Sequence, residues 1–456
     1  MESLTPTATL APAPFRANPA GRRDGLLLGA LPELRRDPLS FLTRRAREDG
    51  DAAAFRVLGV PVLLLSHPAH VEALLTDKVN FRKGRALAVG RPVFGNGLLT
   101  SEGDFWRRQR RLAQPAFHRE RIAGYAEVMT RFTERRLAGF RDGDTRDVHE
   151  ELMALTLEIV AKTLFDADVS REARPVGEAM EVALREFPRL MNPIRRLLFP
   201  YVPTRRNREL AEALATLDRV ILGIIRSRRT SGVDAGDLLS MYLAARDDDG
   251  NGMTDQELRD EVMTLFLAGH ETTAIALTWT FHLLSQNPAA ATRLDDELRT
   301  VLGGRTPAFA DVPNLRYADA VVKESMRIFP PVWTMGRLAV NDVEIAGVRV
   351  KKGTSVIASQ WVIHRDARFF DDPLRFVPER WLDERAKSVP RFAYFPFGGG
   401  PRSCIGASFA SMEAVLILAT VAQRFRMEPV PGHPVEPWPS ITLRPRHGLR
   451  MTLHRR

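Results

Sequence analysis

The sequence predicts a mainly α-helical fold, a large helical domain joined to a smaller β-rich region. Three observations carry that expectation. Helical patterning runs with few breakers from about Phe105 to Met241. A helix of roughly 30 residues, about 45 Å long, opens at Thr254 and can cross a whole domain. Short Val- and Leu-rich runs bounded by turn residues flank these helices on both sides.

Each element has a local reason. Residues 1–23 carry Pro6, Pro12, Pro14 and Pro19 and lack a continuous apolar core. They read as a flexible arm, neither a secretory signal nor a membrane anchor, and 24–456 as a single domain. Phe55 to Ser66 alternates around Gly59 and Pro61, a hairpin signal. The proline cluster from Phe187 to Pro203 marks an irregular link between helices. Thr254 and Glu257 form a capping box, and the helix they open persists until Pro288. A further helix, Tyr317 to Ile328, stops at Pro330-Pro331. Strands are expected at Gly336–Ala339, Val343–Ile345 and Val348–Ala358. A loop-rich stretch from His364 to Arg402 then leads to a last helix, Cys404–Phe425, and a strand-like tail, Ile441–Leu453.

Composition narrows the class. Of 456 residues, 44% are apolar and 27% charged, ordinary for a globular protein. The single cysteine, Cys404, excludes an intrachain disulfide and any multi-cysteine zinc site. Net charge is +10, almost all from arginine, since only seven residues are lysine. Nucleic-acid binding would want a basic, aromatic-interleaved patch, and the charges are instead spread along the chain. An acidic protein partner fits such a surface better. No apolar run spans a membrane, and the expected setting is the cytoplasm.

Chemistry concentrates around the cysteine. Phe397, Gly400, Arg402, Cys404 and Gly406 lie in one glycine-rich loop that leads into a helix. Glycines let a backbone approach a flat cofactor, and a helix N-terminus with Arg402 nearby favours a thiolate, a soft metal ligand. A buried inert cysteine beside a glycine turn is the bland alternative, and it explains the spacing poorly. A phosphate-cradling loop is excluded because no Lys-Ser/Thr follows the glycines.

With these residues the chain resembles the cytochrome P450 family. The resemblance implies that Cys404 is the proximal iron ligand of a haem b, its thiolate favouring O–O cleavage. Three further motifs fall in the family's order. Ala268-Gly269-His270-Glu271-Thr272-Thr273 matches the oxygen-binding motif of the long helix. The small Ala268 and Gly269 would leave room for a diatomic ligand. By resemblance Thr272 steers protons during oxygen activation and Glu271 feeds that relay. His270-Glu271 also begins a zinc-protease HExxH pattern, which fails because position 274 is alanine. Glu324 and Arg327 share a helix face at i, i+3 and, with Arg380, resemble the structural network that braces the cysteine loop. Trp106 and Arg110 lie one turn apart and, like Arg337 and Arg402, could reach a haem propionate. The flanking Arg107, Arg108 and Arg111 are either a solvated face or a docking surface for an acidic electron-transfer protein. His118 and His364 are taken as structural.

The resemblance places an apolar substrate against Leu265, Phe266, Ala268, Val332, Trp333 and Met335, with Leu87, Val89 and Phe94 opposite. It is similar to soluble bacterial members that hydroxylate carotenoids, terpenoids or fatty acids. The implied activity is a monooxygenase using O₂ and electrons from a separate ferredoxin or flavodoxin with its reductase, in a monomer without its own flavin or iron–sulfur cluster. A peroxide-driven peroxygenase is the enzymatic rival, and a haem-based gas sensor the non-catalytic one.

Overall fold

The protein was analysed as a computed structural model, which describes residues 28–84, 87, 89–190, 201, 202, 204–246, 250, 252–345, 347–382 and 384–456. The expected N-terminal arm, 1–23, lies outside the described residues. Helices dominate. Those that matter for the site are α1 (Gly103–Ala113), α2 (Arg119–Leu137), α3 (Val148–Phe165), α4 (Ala173–Leu190), α5 (Arg205–Ser231), α6 (Asp255–Gln286), α7 (Pro288–Leu302), α8 (Arg316–Ile328) and α9 (Ala407–Arg424).

The capping box at the start of α6 is present, with the Thr254 hydroxyl and Glu257 carboxylate each accepting the other's backbone N–H. The helix ends at Gln286, where Asn287 leaves helical geometry ahead of Pro288. Its interior is almost wholly core. Between Leu258 and Leu284 only Ala268 is exposed, and only Gly269, Thr272 and His282 are part-buried. Helix α3 crosses it closely enough that a Cβ at Gly269 would lie 2.9 Å from Val160 Cγ2. The smallness of Gly269 therefore also serves helix packing, and Ala268 is the more open residue of the two.

The β region is built from distant pieces. Strands β1 (Ala52–Val57), β2 (Val60–Leu65), β3 (Phe81–Lys83), β4 (Met335–Ala339) and β5 (Ser355–Ala358) form one sheet in the order β1-β2-β5-β4-β3. The β2–β5 pair is parallel, starting at Val62↔Ser355, and the others are antiparallel. The hairpin turns at Leu58-Gly59, where both φ values are positive (49° and 77°), and Pro61 lies inside β2. Pro61 is tolerated because the parallel ladder begins one residue later, so no partner needs its missing N–H. The expected Val348–Ala358 strand is divided into Val348–Val350 and β5 by a turn at Lys352-Gly353.

Three apolar clusters result: a large one among the helices, one under the sheet, and a small one around Phe41, Phe55 and Leu64. Two expectations shift. Helix α4 runs through position 188 to Leu190, so the proline-rich link is shorter than expected, and its residues 191–200 lie outside the described residues. The last helix starts at Ala407, with Gly406 at its N-cap, so Cys404 precedes it by a turn-like stretch. Among the described residues no helix is long and apolar enough to cross a membrane.

Candidate active site

A chain of hydrogen bonds fixes the cysteine loop. Cys404 N donates to Phe397 O (2.9 Å), and Gly398 N to Phe395 O (2.9 Å). Phe395 N donates to the ring Nε2 of buried His364 (3.0 Å), and His364 O accepts from Arg327 Nη1 (2.8 Å). Arg327 in turn holds Glu324, so α8 and the loop are one unit. The loop's glycines are needed by the protein itself. Gly400 has φ +65° and a Cβ there would lie 2.2 Å from Leu75 O, while one at Gly399 would strike the Phe392 ring. At Gly406 a Cβ would meet only Phe117, at 3.6 Å, so no protein atom forbids a side chain there.

Cys404 has open surface, yet protein crowds its sulfur enough to alter its chemistry. A thiol both open and crowded faces a recess rather than bulk water. Burial pushes its pKa up; the Gly406 N–H and the Arg110 guanidinium oppose that rise. The expectation that a helix N-terminus and Arg402 would lower it is thus corrected. Burial outweighs the N–H of the Gly406 helix cap, and the cation acting on the sulfur is not Arg402 but Arg110. Its Nη1 donates to Ser403 O (2.8 Å), so Arg110 grips the cysteine loop directly. Phe397 is part-buried against the helical core.

Beside the loop lies an excess of positive charge. Arg402 pairs with Glu102 and stacks over the Trp106 ring at 3.5 Å. Arg337 is 7% exposed, its Nη1 bonds only its neighbour's carbonyl, Gly336 O (3.0 Å), and among the described residues it has no carboxylate partner. Lys83 Nζ donates to Leu98 O (2.7 Å), and burial, aided by Arg402 and Arg337, pushes it down to about 7. Glu102 answers three cations and also accepts from Lys83 N (2.8 Å). Such a cluster is short of anions. Lys83 and Glu102 were not singled out in the sequence, since neither belongs to a motif.

The side chains of Glu271 and Thr272 are engaged with different partners. Thr272 Oγ1 donates to Ala268 O (2.8 Å), one turn back, as its position in a helix allows. Glu271 is 4% exposed and its Oε1 accepts from Thr442 Oγ1 (2.7 Å); burial raises its pKa, against the pull of Thr442 and Arg444. His270 is buried and neutral, its Nδ1–H donating to Phe266 O (2.5 Å). No zinc-type cluster of His, Cys, Asp or Glu occurs among the described residues.

The bracing network is complete. Glu324 Oε1 accepts from Arg327 Nη2 (2.7 Å), Arg380 Nε (3.0 Å) and Val377 N (3.0 Å). Its Oε2 accepts from Arg327 Nε and Trp381 Nε1, both at 2.9 Å. Arg327 also bonds Pro373 O (2.6 Å) and Arg375 O (3.0 Å).

The expected substrate wall divides. Leu265 and Phe94 are buried in the helical core, Val89 packs against it, and Leu87 and Val332 are part-buried. Phe266 is corrected to core, because its ring stacks on Phe165 at 5.1 Å. Trp333 is corrected too: it packs on the small Phe41 cluster and its Nε1 donates to Ser440 O (2.9 Å). Met335 reaches the cysteine loop, where its Cε would lie 2.9 Å from a Cβ at Gly398. Of the arginines around Trp106, Arg107 pairs with Asp104 and Arg108 lies 3.6 Å from Glu257, while Arg111 is exposed.

Residues 19–450 match the family model described as Cytochrome P450. The chain belongs to the cytochrome P450 family. It is 42% identical over 413 residues to the cyclooctatin synthase of Streptomyces melanosporofaciens, covering 90% of this chain and 89% of that one. From the same organism, cyclooctat-9-en-7-ol 5-monooxygenase is 38% identical over 436 residues, 94% of each chain. The pentalenene oxygenase of Streptomyces avermitilis is 36% identical over 440 residues, 94% of this chain and 97% of its own.

A cytochrome P450 uses a haem-iron cofactor, and the residues present fit one. The recess offers a soft sulfur donor, and the cluster of Lys83, Arg337 and Arg402 lacks the carboxylates that haem propionates would supply.

Proposed function

We propose that this cytochrome P450 monooxygenase hydroxylates a terpenoid hydrocarbon or alcohol with electrons from a separate, acidic redox protein. The observation that carries the reading is an open, crowded Cys404 in a chain whose α6 exposes Ala268 in the middle of a stretch, Leu258 to Leu284, that is buried at nearly every other position. Relatives named for cyclooctat-9-en-7-ol and pentalenene, matched across nearly the whole chain, support the substrate class.

When bound, haem b supplies oxygen activation under a thiolate ligand. The chain's own residues do the rest. Cys404 would ligate through Sγ, with the Gly406 N–H and Arg110 offsetting the cost of a buried anion. Arg337, Lys83 and Arg402 would take the propionates, and Trp106 would hold the Arg402 guanidinium flat against its ring. Thr272 holds a proton at Oγ1 on the part-buried edge of α6, and burial within the core tightens the Glu271 carboxyl's hold on its own. Apolar walls from the part-buried Val332 and Met335 would exclude water and favour an apolar substrate.

A groove of about 590 Å³ beside α9 is lined by Arg119, Arg316 and an Asp319–Lys323 ion pair together with Ser408 and Ser411, close in sequence to Cys404, which leaves the two arginines in excess. Its basic rim and the net charge of +10 support an acidic ferredoxin or flavodoxin as electron donor.

The test is spectroscopic. The reduced, CO-bound protein should show the red-shifted Soret band of thiolate ligation, and Cys404→Ser should abolish it. Screening for substrate-induced spin-state shifts should favour terpenoids over carotenoids and fatty acids; a response to fatty acids alone would remove the terpenoid reading.

A further inference from the structure

Glu271 and Thr272 are neighbours in sequence, but their side chains are engaged elsewhere. Thr272 bonds back to Ala268 O, and Glu271 reaches across to Thr442. The segment that presents Thr442 is held with unusual completeness. Leu443 N donates to Pro331 O (2.8 Å), and Leu443 O accepts from Trp279 Nε1 (2.8 Å). One residue before Thr442's own neighbour Ile441, Ser440 O accepts from Trp333 Nε1 (2.9 Å). Trp279 lies about two turns along α6 from Glu271. The helix that carries the acid therefore also anchors the segment that holds it.

Arg444 belongs to the same extended segment. The side chains of Thr442, just before the strand Leu443–Pro445, and of Arg444 within it both act on Glu271. Arg444 is 7% exposed, stacks over Trp438 at 4.7 Å, and its Nη2 is buried without a hydrogen bond. Its charge acts on Glu271 and on His149, whose Nδ1 lies 3.2 Å from Thr278 Oγ1. His149 and His270 are both pushed down to about 4 by burial, so they are neutral at ordinary pH. Arg444 is then the charged group that acts on Glu271 from the elements packed against it.

A buried acid that donates a proton becomes a buried carboxylate until a proton returns from water. That state is costly unless a donor and a positive charge stand beside it. We propose that Thr442 and Arg444 are positioning residues for Glu271, Thr442 holding the carboxyl in its resting orientation and Arg444 stabilising it each time the proton has left. The inference rests on the reading that Glu271 supplies protons during turnover.

The ferric holoenzyme, without substrate, is titrated by infrared difference spectroscopy. The band of the protonated carboxyl is assigned by its loss in Glu271→Gln. Thr442→Val should raise the titration midpoint by about one unit, a tenfold change, the size expected for one hydrogen bond to a charged group. Arg444→Met should raise it as well, and Thr442→Ser should return it to the wild-type value. In parallel, the solvent isotope effect on oxygen consumption is measured with a ferredoxin and its reductase. It should change in Glu271→Gln and Thr442→Val and be normal in Thr442→Ser. If Glu271→Gln changes neither readout, the proton-supply reading fails. If Glu271→Gln changes them while Thr442→Val and Arg444→Met leave the midpoint and isotope effect at wild-type values, the positioning inference alone is overturned. A Thr442→Ser variant that behaves like valine would overturn it too.

Discussion

Replacing Glu324 by glutamine tests whether the buried network, rather than apolar packing, holds the cysteine loop. The carboxylate is fully buried and accepts five N–H groups, three on Oε1 and two on Oε2. A carboxamide keeps one acceptor. Its best placement leaves the carbonyl at the Oε1 position and turns the NH₂ onto Arg327 Nε and Trp381 Nε1, which then lose their acceptor. Hydrogen bonds to charged groups are worth about 1.5–3 kcal/mol each, so the loss is about 3–6 kcal/mol. Breaking a buried ion pair from one side costs about 3–5 kcal/mol, which agrees. Total stabilities run at about 5–15 kcal/mol, so the variant should lose much of its margin. An internal scale is available on the same helix. Lys323 and Asp319 pair at 2.6 Å but are 41% and 37% exposed, and Asp319→Asn should cost under about 1 kcal/mol. Denaturant titrations of both holoenzymes, followed by far-ultraviolet circular dichroism and Soret absorbance, provide the comparison. In Glu324→Gln the Soret signal should fail first, because Arg327 carries the bond to His364 O. If the two variants have equal midpoints, the network does not brace the loop.

Three other outcomes are expected. Gly400→Ala should lower the thermal midpoint and speed haem loss, since its Cβ would sit 2.2 Å from Leu75 O at φ +65°; an unchanged midpoint would contradict this contact. Glu413, on α9, is fully buried and raised to about 8 by burial, opposed by Thr273, from an unfolded value near 4.5. The folded state holds this proton more tightly, so its contribution is full below about pH 4.5 and is lost as pH rises to 8. Glu413→Gln should therefore flatten the decline of stability between those values, measured as the denaturation midpoint against pH, and an identical profile would refute the assignment. Arg337→Met should raise the haem dissociation rate roughly 10- to 100-fold, the worth of one charge-assisted hydrogen bond. A wild-type rate would remove Arg337 from the cofactor's grip.

Much of the fold was legible because it is local. The Thr254–Glu257 capping box and the Asn287-Pro288 stop delimit α6 from the sequence alone, and the Pro330-Pro331 pair ends α8 within a residue or so. Contiguous motifs were legible for the same reason. What could not be read is what the fold brings together from afar. Thr442 lies 171 positions from Glu271, and no spacing rule connects them. Lys83 and Glu102 acquire meaning only beside Arg337 and Arg402. Direction was also hidden. Leu265 and Phe266 lie on a helix buried on nearly every side, so periodicity could not show that both belong to the core. Cys404 lies close enough to a helix to suggest a lowered pKa, yet burial of the sulfur, which no motif announces, outweighs the N–H of the Gly406 cap.

The parallel pairing of β2 with β5 has a consequence for how the protein is made. Val62 and Ser355 are about 290 positions apart, so the central ladder cannot close until most of the chain has left the ribosome. Helices α4 and α5 pack chiefly on each other and can consolidate first, whereas α3 needs α6, α2 needs α9, and β2 waits with an unsatisfied edge. Cys404 emerges later still. Capture of the cofactor is therefore among the last events of biogenesis, and until then an apolar recess and a free strand edge stand open together. That interval is where expression at high temperature or without sufficient haem should lose protein to aggregation.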